Sequence, residues 1–209
     1  LAFIDDDEVP TRGWLRHLFE ACGRYDVDGA LGPVRPQFDE PPPQWVVDGG
    51  FYDRPTYATG RLIDWRKGRT GNTLLKRSTL TADEEPFRAE FLTGEDQDFF
   101  RRAIERGHRF VWCNEAVAYE TVPPLRWTRS FMLRRALLRG SVSLRHPAFG
   151  AAGIIKSVVA VPIYTATLPL ALLTGQWRFM VLLVKLCDHA GRLLGLIGIN
   201  PIREPYVTE

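Results

Sequence analysis

Cysteine is scarce in this chain, and nothing pairs the few there are. Only Cys22, Cys113 and Cys187 occur among 209 residues. Their odd number and wide spacing, with no CxxC pair, argue against a disulfide framework or zinc site and fit a reducing compartment. No internal repeat, low-complexity tract or P-loop is present, and no Ser, His and Asp set stands out as a nucleophilic triad. His17, His108, His146 and His189 match no metal-ligand spacing and read as structural or surface residues. The chain opens on Leu1 without a charged-then-apolar leader, which suggests a polypeptide beginning inside a larger one. Acid is missing from a long stretch: residues 121–187 contain no Asp or Glu but nine Lys or Arg, although the formal net charge is only +2. Two different surfaces therefore share one chain. The bases are interleaved with a long apolar run rather than with stacking aromatics, so a nucleic-acid partner is not expected.

What is present reads as an α/β pattern followed by apolar helices. LAFI (1–4) has the look of a short buried strand, and WLRHLFEAC spaces Trp14, Leu15, Leu18, Phe19 and Cys22 as on one helix. GALGPVRPQ (29–37) reads as a strand that Pro33 and Pro36 bend or push to an edge. Residues 38–70 read as a long loop region. GNTLLKRSTL (71–80) restores order. TGEDQDFFRRAIERG then gives a helix with Phe99, Phe100, Ala103 and Ile104 on one face and Gly107 as its stop. HRFVWCNEAVAYETV reads as one strand or two.

After Pro123 and Pro124 the character changes. LRWTRSFMLRRALLRG is a basic helix, and VVAVPIYTATLPLALL (158–173) runs 16 residues without a charge, slightly short of the ~20 of a straight membrane span. Extension through Gly153, Ile154 and Ile155 would bring in Lys156. Pro162 and Pro169 are better tolerated in a membrane helix than in a soluble one. In the next segment Lys185, Asp188, His189 and Arg192 make one polar stripe, which either lies in the membrane interface or packs against protein. The expected division is a catalytic domain at 1–125 and membrane-associated helices at 126–209, with one span and less clearly two.

Two carboxylate groups could carry chemistry. Asp5, Asp6 and Asp7 directly follow a strand, where adjacent carboxylates stay ionised together only if a cation neutralises them. Mg and Mn suit such oxygen ligands and leave positions open for phosphate. The alternative is an exposed acidic turn leading into a helix. Glu95, Asp96 and Asp98 sit in the first turn of a helix, where the macrodipole favours negative charge and Thr93 is placed to cap; a general base for a hydroxyl is the functional alternative.

In order and separation, IDDDE, GNTLLKRSTL and TGEDQDFFRRAIERG resemble the DxD, Gly-Asn and ED segments of the family 2 glycosyltransferases, which have the GT-A fold. ETVPPLRWTRSFMLRRALLRG and GRLLGLIG resemble the continuation in bacterial exopolysaccharide enzymes of the succinoglycan type. The resemblance implies the C-terminal part of a GT-A, Rossmann-like domain followed by membrane-associated helices. It implies a metal-dependent, inverting transfer of sugar from a nucleotide-sugar donor to a glycan or lipid-linked acceptor, at the cytoplasmic face of an anionic membrane surface.

By position, Asp5 and Asp7 would hold the divalent metal (Mg or Mn), Asp96 would be the base and Glu95 its support. Asp6, Gly71, Asn72, Gly94, Arg134 and Arg135 would line the donor and acceptor sites. The chain lacks the QxxRW of processive members, and Glu120 stands where some members place a histidine ligand. The nucleotide-recognition units of a GT-A domain lie upstream of DxD, so this polypeptide alone is expected to bind nucleotide poorly. Two other readings stay open: a non-catalytic membrane-binding fragment, and a different metal-dependent nucleotidyl or phosphoryl transferase.

Overall fold

The computed structural model describes residues 1–82, 84–88, 91, 94–144 and 150–202. They form a mixed α/β structure that divides into two compact units. The first takes in the described residues of Leu1–Gln37, Tyr52–Glu90 and Gly94–Thr121, the second those of Phe38–Phe51, Phe91–Thr93 and Val122–Glu209.

The first unit is built on β1 (Ala2–Phe3), β2 (Glu8–Pro10), α1 (Trp14–Tyr25), β3 (Gly29–Leu31), β4 (Val34–Phe38), β5 (Thr73–Leu75), α3 (Arg77–Thr81), α4 (Glu95–Glu105), β6 (Phe110–Trp112) and β7 (Ala118–Val122); α2 (Gln44–Asp48) falls in the second unit. One sheet has the order β1-β5-β3-β6, with β3 and β6 parallel and the other pairs antiparallel; a second has the order β2-β7-β4. Gly32 and Pro33 break the 29–37 run into β3 and β4, as its prolines suggested. The run after Arg109 makes two strands.

Side-chain alternation sorts the core. Ala30 and Val111 face Leu18 and Ala21 of α1, while Leu31, Leu75, Phe110 and Trp112 face Phe99, Phe100 and Ala103 of α4. Gly107, in the left-handed region at φ 95°, lets the chain leave α4.

LAFI departs from its expected burial. β1 is an edge strand, paired only with β5 among the described residues, so Leu1 and Ile4 are exposed. On α1, Leu15 and Phe19 are exposed as well. The 38–70 region is also better anchored than a loop. Gly60 N–H donates to Trp112 O, Trp112 N–H to Arg61 O and Ile63 N–H to Phe110 O, at 2.8–2.9 Å, so this segment runs along the free edge of β6. Asp64 then caps a single 3-10 turn at Trp65–Lys67 by accepting from Arg66 N–H.

The second unit holds α5 (Arg129–Ser143), α6 (Ala151–Leu173) and α7 (Gln176–Leu196). The hydroxyl of Thr128 caps α5 by accepting from Phe131 N–H. Gly140 and Gly191 allow α5 and α7 to touch backbone to backbone. A β-carbon on Gly140 would lie 2.1 Å from Asp188 O, and one on Gly191 would lie 2.2 Å from Leu137 O.

The polar stripe of α7 packs against protein. Arg139 Nε donates to Asp188 at 3.0 Å, Arg192 Nε to Ser143 Oγ at 3.0 Å and Arg192 Nη1 to Ser157 Oγ at 3.1 Å; Ser157 Oγ lies 3.0 Å from His189 Nδ1. Only Lys185 of the stripe is exposed. α6 is 23 residues long, includes Lys156, and is the one described helix long and apolar enough to cross a membrane. Pro162 and Pro169 lie inside it, and the hydroxyls of Thr165 and Thr167 return to the carbonyls of Val161 and Ile163.

Candidate functional site

The four acids at the start of the chain form a tight turn between the two sheets. Glu8 N–H donates to Asp5 O at 3.1 Å, closing the turn, and Asp7 O accepts from Thr121 N–H at 2.9 Å on β7. The turn keeps the carboxylates crowded. Burial first, then Asp7, with Asp6 and Glu95 adding, raises the Asp5 carboxyl above the usual carboxylate range. Glu8 is buried, and burial followed by the charge of Asp5 pushes it up to about 7. Neither Glu8 oxygen makes a hydrogen bond among the described residues, but Arg54 Nη1 lies 3.8 Å from Oε1. The same guanidinium pairs with Glu120, which stands opposite Glu8 across the β2–β7 ladder. Glu120 is thus an ion-pair partner of Arg54.

Gly71 brings the middle of the chain to this turn. Its α-carbon is so close to Asp5 that a β-carbon would sit 2.6 Å from Oδ2. The next residue, Asn72, is left-handed at φ 55° and fully buried. Its Nδ2 donates to Pro33 O and Ala116 O at 2.8 Å, and its Oδ1 accepts from Trp14 Nε1. The Asn72 side chain is therefore hydrogen-bonded inside the fold, where it fixes the Gly71 corner.

At the start of α4 the N-cap position is Gly94, left-handed at φ 87° and without a side-chain cap. Thr93, expected to cap, lies outside the described residues. The first-turn acids divide into two kinds. Asp98 is fully buried and ion-paired to Arg101 at 2.9 Å, Arg102 at 2.8 Å and Arg88 at 3.7 Å. Burial opposes its charge, yet hydrogen bonds from Arg101 and Arg102 hold it below the usual range. It is a structural anchor.

Asp96 has no such ion pair among the described residues. Its Oδ1 accepts from Gln97 N–H at 2.7 Å and its carboxyl also takes the Thr70 amide; burial, with Glu95 adding, nevertheless raises it to about 6. That is the profile of a base more proton-hungry than a free carboxylate and still ionised at neutral pH. Arg69, next to Thr70, is near enough to lower it somewhat.

Asp5, Asp6, Asp7, Gly71, Gly94, Glu95 and Asp96 thus belong to one unit, with Asp5 and Glu95 within electrostatic reach of each other. Arg134 and Arg135 lie on α5 in the second unit. Among the described residues no three His, Cys, Asp or Glu side chains form a complete metal-ligand set. What Asp5 and Asp7 offer is smaller: two hard oxygen donors in a carboxylate-rich turn. That fits Mg or Mn, which bind through one or two carboxylates with water and substrate phosphate filling the rest.

The histidines carry no such chemistry. His17 contacts Glu115 O, His108 pairs with Asp28 and His189 is buried beside Ser157; His146 lies outside the described residues. The spacing of motifs did not point to Arg54, Lys67 or Arg69, which come from the 38–70 region. A cation next to the Gly-Asn corner was the only available signal.

No family model matches the chain. It is 29% identical over 217 residues to the succinoglycan biosynthesis protein ExoM of Rhizobium meliloti (strain 1021). The alignment covers 100% of this chain and 69% of that protein.

Proposed function

We propose that the chain carries the catalytic machinery of a glycosyltransferase of family 2, with the GT-A fold, acting in polysaccharide biosynthesis. The observation that carries the reading is the state of Asp96: raised to about 6 by burial, held by two main-chain amides, and grouped with the Asp5 turn through Glu95. Similarity to a succinoglycan biosynthesis protein over the whole chain supports the same class.

In this reading the acceptor hydroxyl of a glycan or lipid-linked sugar attacks the anomeric carbon of a nucleotide-sugar. Its proton passes to an Asp96 oxygen as the new C–O bond forms. The bond to the diphosphate breaks on the opposite side, so the anomeric centre inverts and no enzyme nucleophile is needed. Glu95 keeps local negative charge high and so favours proton capture by Asp96. Gly94, without a β-carbon, leaves room at the helix start for the sugar. Asp5 and Asp7 would hold the divalent metal, with Asp6 beside them; when bound, it would act as a Lewis acid on the donor phosphates.

α6, with exposed Ile155, Val158, Val159 and Ile163, and the acid-free stretch before it, would hold the enzyme at the cytoplasmic face of an anionic membrane. Arg134 and Arg135 belong to that basic stretch. The test is transfer of labelled sugar from nucleotide-sugar donors to membrane-extracted acceptors by the intact protein, in the presence of Mg or Mn. Transfer is expected to vanish in Asp96→Asn; transfer that survives the change would rule out the assigned base.

A further inference from the structure

Taken alone, α6 has the look of a membrane span. Lys156 stands near one end, and Trp177 with Arg178 follows the other, the guanidinium 4.9 Å from the indole ring. Its exposed residues are apolar and regular. Ile155, Val159, Ile163, Leu170 and Leu173 fall on one stripe at helical spacing, each more than half exposed. What covers that stripe depends on the helices beside it, all in the second unit.

α7 is packed between α5 and α6. The chain turns back at Thr174 and Gly175, and Ser157, early in α6, meets His189 and Arg192, late in α7. These two helices are antiparallel. α5 and α7 are parallel: Arg139 meets Asp188 and Ser143 meets Arg192, both pairs 49 residues apart. The levels along α6 therefore have counterparts on α7 and α5.

Those levels decide the orientation. At ~1.5 Å per residue α6 is about 34 Å long, and Lys185 lies about 14 Å from the start of α7. With α6 upright in a hydrocarbon core of roughly 30 Å, the exposed Lys185 would sit near its middle. The Arg139–Asp188 pair would lie about 18 Å from the same end, with the Arg139 side chain 58% exposed. Charges at the centre of a bilayer are costly unless protein or water surrounds them, and long side chains snorkel only from near helix ends. Upright, the bundle would bring its charges to the deepest level.

Laid flat, the same helices carry no such conflict. Ser157 and Tyr164, seven residues apart, form the face of α6 that meets His189. The apolar stripe faces away from α7. It therefore enters the acyl boundary first, with α7 behind it at headgroup level and α5 farther out.

We propose that α6 lies in the membrane plane, its apolar stripe sunk into one leaflet of anionic lipid, and does not cross the bilayer. The proposal rests on the reading of α6 as the attachment and says how that attachment is made. Charge favours this occupant. Residues 121–187 carry nine Lys or Arg and no acid, and Lys156, Arg178 and Lys185 are exposed at the ends of α6 or beside it. In-plane helices combine buried apolar area with attraction to anionic headgroups.

The experiment compares the two ends of α6 in the intact protein. Ala151→Cys and Thr174→Cys, both at exposed positions, are treated with a membrane-impermeant maleimide in spheroplasts and in inverted membrane vesicles. Mass spectrometry of the labelled peptides separates them from Cys22, Cys113 and Cys187. Both positions are expected to react in inverted vesicles and neither in spheroplasts. Reaction from opposite sides would establish a span and overturn the proposal. Protection of Thr174→Cys from both sides would also overturn it, since the turn would then lie in hydrocarbon.

A second measurement uses preformed phosphatidylcholine vesicles with and without phosphatidylglycerol. Wild type is expected to bind the anionic vesicles, and Lys185→Leu to bind them about fivefold more weakly at low salt, with little change on neutral ones. A span predicts the opposite sign, because Lys185→Leu takes a charge out of hydrocarbon. Unchanged or tighter binding of that variant to anionic vesicles would overturn the in-plane arrangement. Thermal melts confirm that each variant is folded. A protein that never sediments with membranes would sink the attachment itself, whereas labelling from opposite sides would sink the in-plane arrangement alone.

Discussion

Gly71 and Asp5 are packed so closely that a methyl group on the first would lie 2.6 Å from a carboxylate oxygen of the second. Residues 66 positions apart in sequence thereby share one corner of the candidate site. The contact is with the end of a side chain, which can turn aside at modest cost, so Gly71→Ala should fold. Asp5 would be displaced from its present orientation. The metal concentration for half-maximal transfer is expected to rise about tenfold, corresponding to ~1.4 kcal/mol, with little change in melting temperature. An unchanged metal titration would remove Asp5 from the metal edge.

The state of Asp96 links activity to stability with opposite signs. Its carboxyl is raised from 3.8 to about 6 in the folded chain, so the folded state holds this proton more tightly than the unfolded one. The corresponding stability is fully present below pH ~4 and is lost as pH rises through about 6. Above that, the ionised group costs on the order of 1–3 kcal/mol, the lower end reflecting its partial exposure. Asp96→Asn should therefore unfold at higher urea than wild type at pH 7.5 and at similar urea at pH 4, while losing transfer. Wild-type transfer should climb with pH through about 6 and then level. A variant less stable than wild type at pH 7.5 would contradict this account.

Some of this was legible in the sequence and some was not, for physical reasons. The start of α4 was readable because Glu95, Asp96 and Asp98 cluster ahead of Phe99 and Phe100, a charge and periodicity pattern that survives without coordinates. That Asp98 is a three-arginine anchor while Asp96 is not could not be read, since residue order does not say which carboxylate Arg88, Arg101 and Arg102 reach. The burial of the Asn72 amide against Pro33 O and Ala116 O could not be read, because a motif position does not say which way an amide points. The exposure of Leu1 and Ile4 could not be read either, because an apolar run carries no record of how many neighbours its strand has. The stripe on α7 was visible as periodicity; its partners Arg139, Ser143 and Ser157 were not.

The α5–α7 seam should resist any side chain. Gly191→Leu would force atoms into the space now taken by Leu137 O, at 2.2 Å from the would-be β-carbon. Overpacking of this kind costs about 3 kcal/mol or more when backbone has to move. Detergent-solubilised protein carrying Gly191→Leu should lose helical signal at markedly lower temperature than wild type, whereas Lys185→Leu, at the exposed position of the stripe, should not. Equal melting of the two variants would refute the close packing.

Membrane attachment through α6 is testable at its midpoint. Ile163 is 53% exposed near the centre of the helix. A charge there costs roughly 3 kcal/mol in hydrocarbon, or about a hundredfold in partition. Ile163→Asp should shift the protein from carbonate-washed membranes to the supernatant. Retention equal to wild type would mean that α6 is not the attachment.

Asp98 is tied to arginine side chains, and Asp96 to the amides of Thr70 and Gln97. Side-chain partners can be lost by ordinary substitution, but a peptide N–H is common to every residue except proline. The restraints on Asp96 are therefore indifferent to most replacements at positions 70 and 97. Among single substitutions there, only Thr70→Pro and Gln97→Pro delete a donor outright. The candidate base is thus insulated from drift in the residues that hold it, and a surface loop can vary in sequence without moving the proton acceptor it supports.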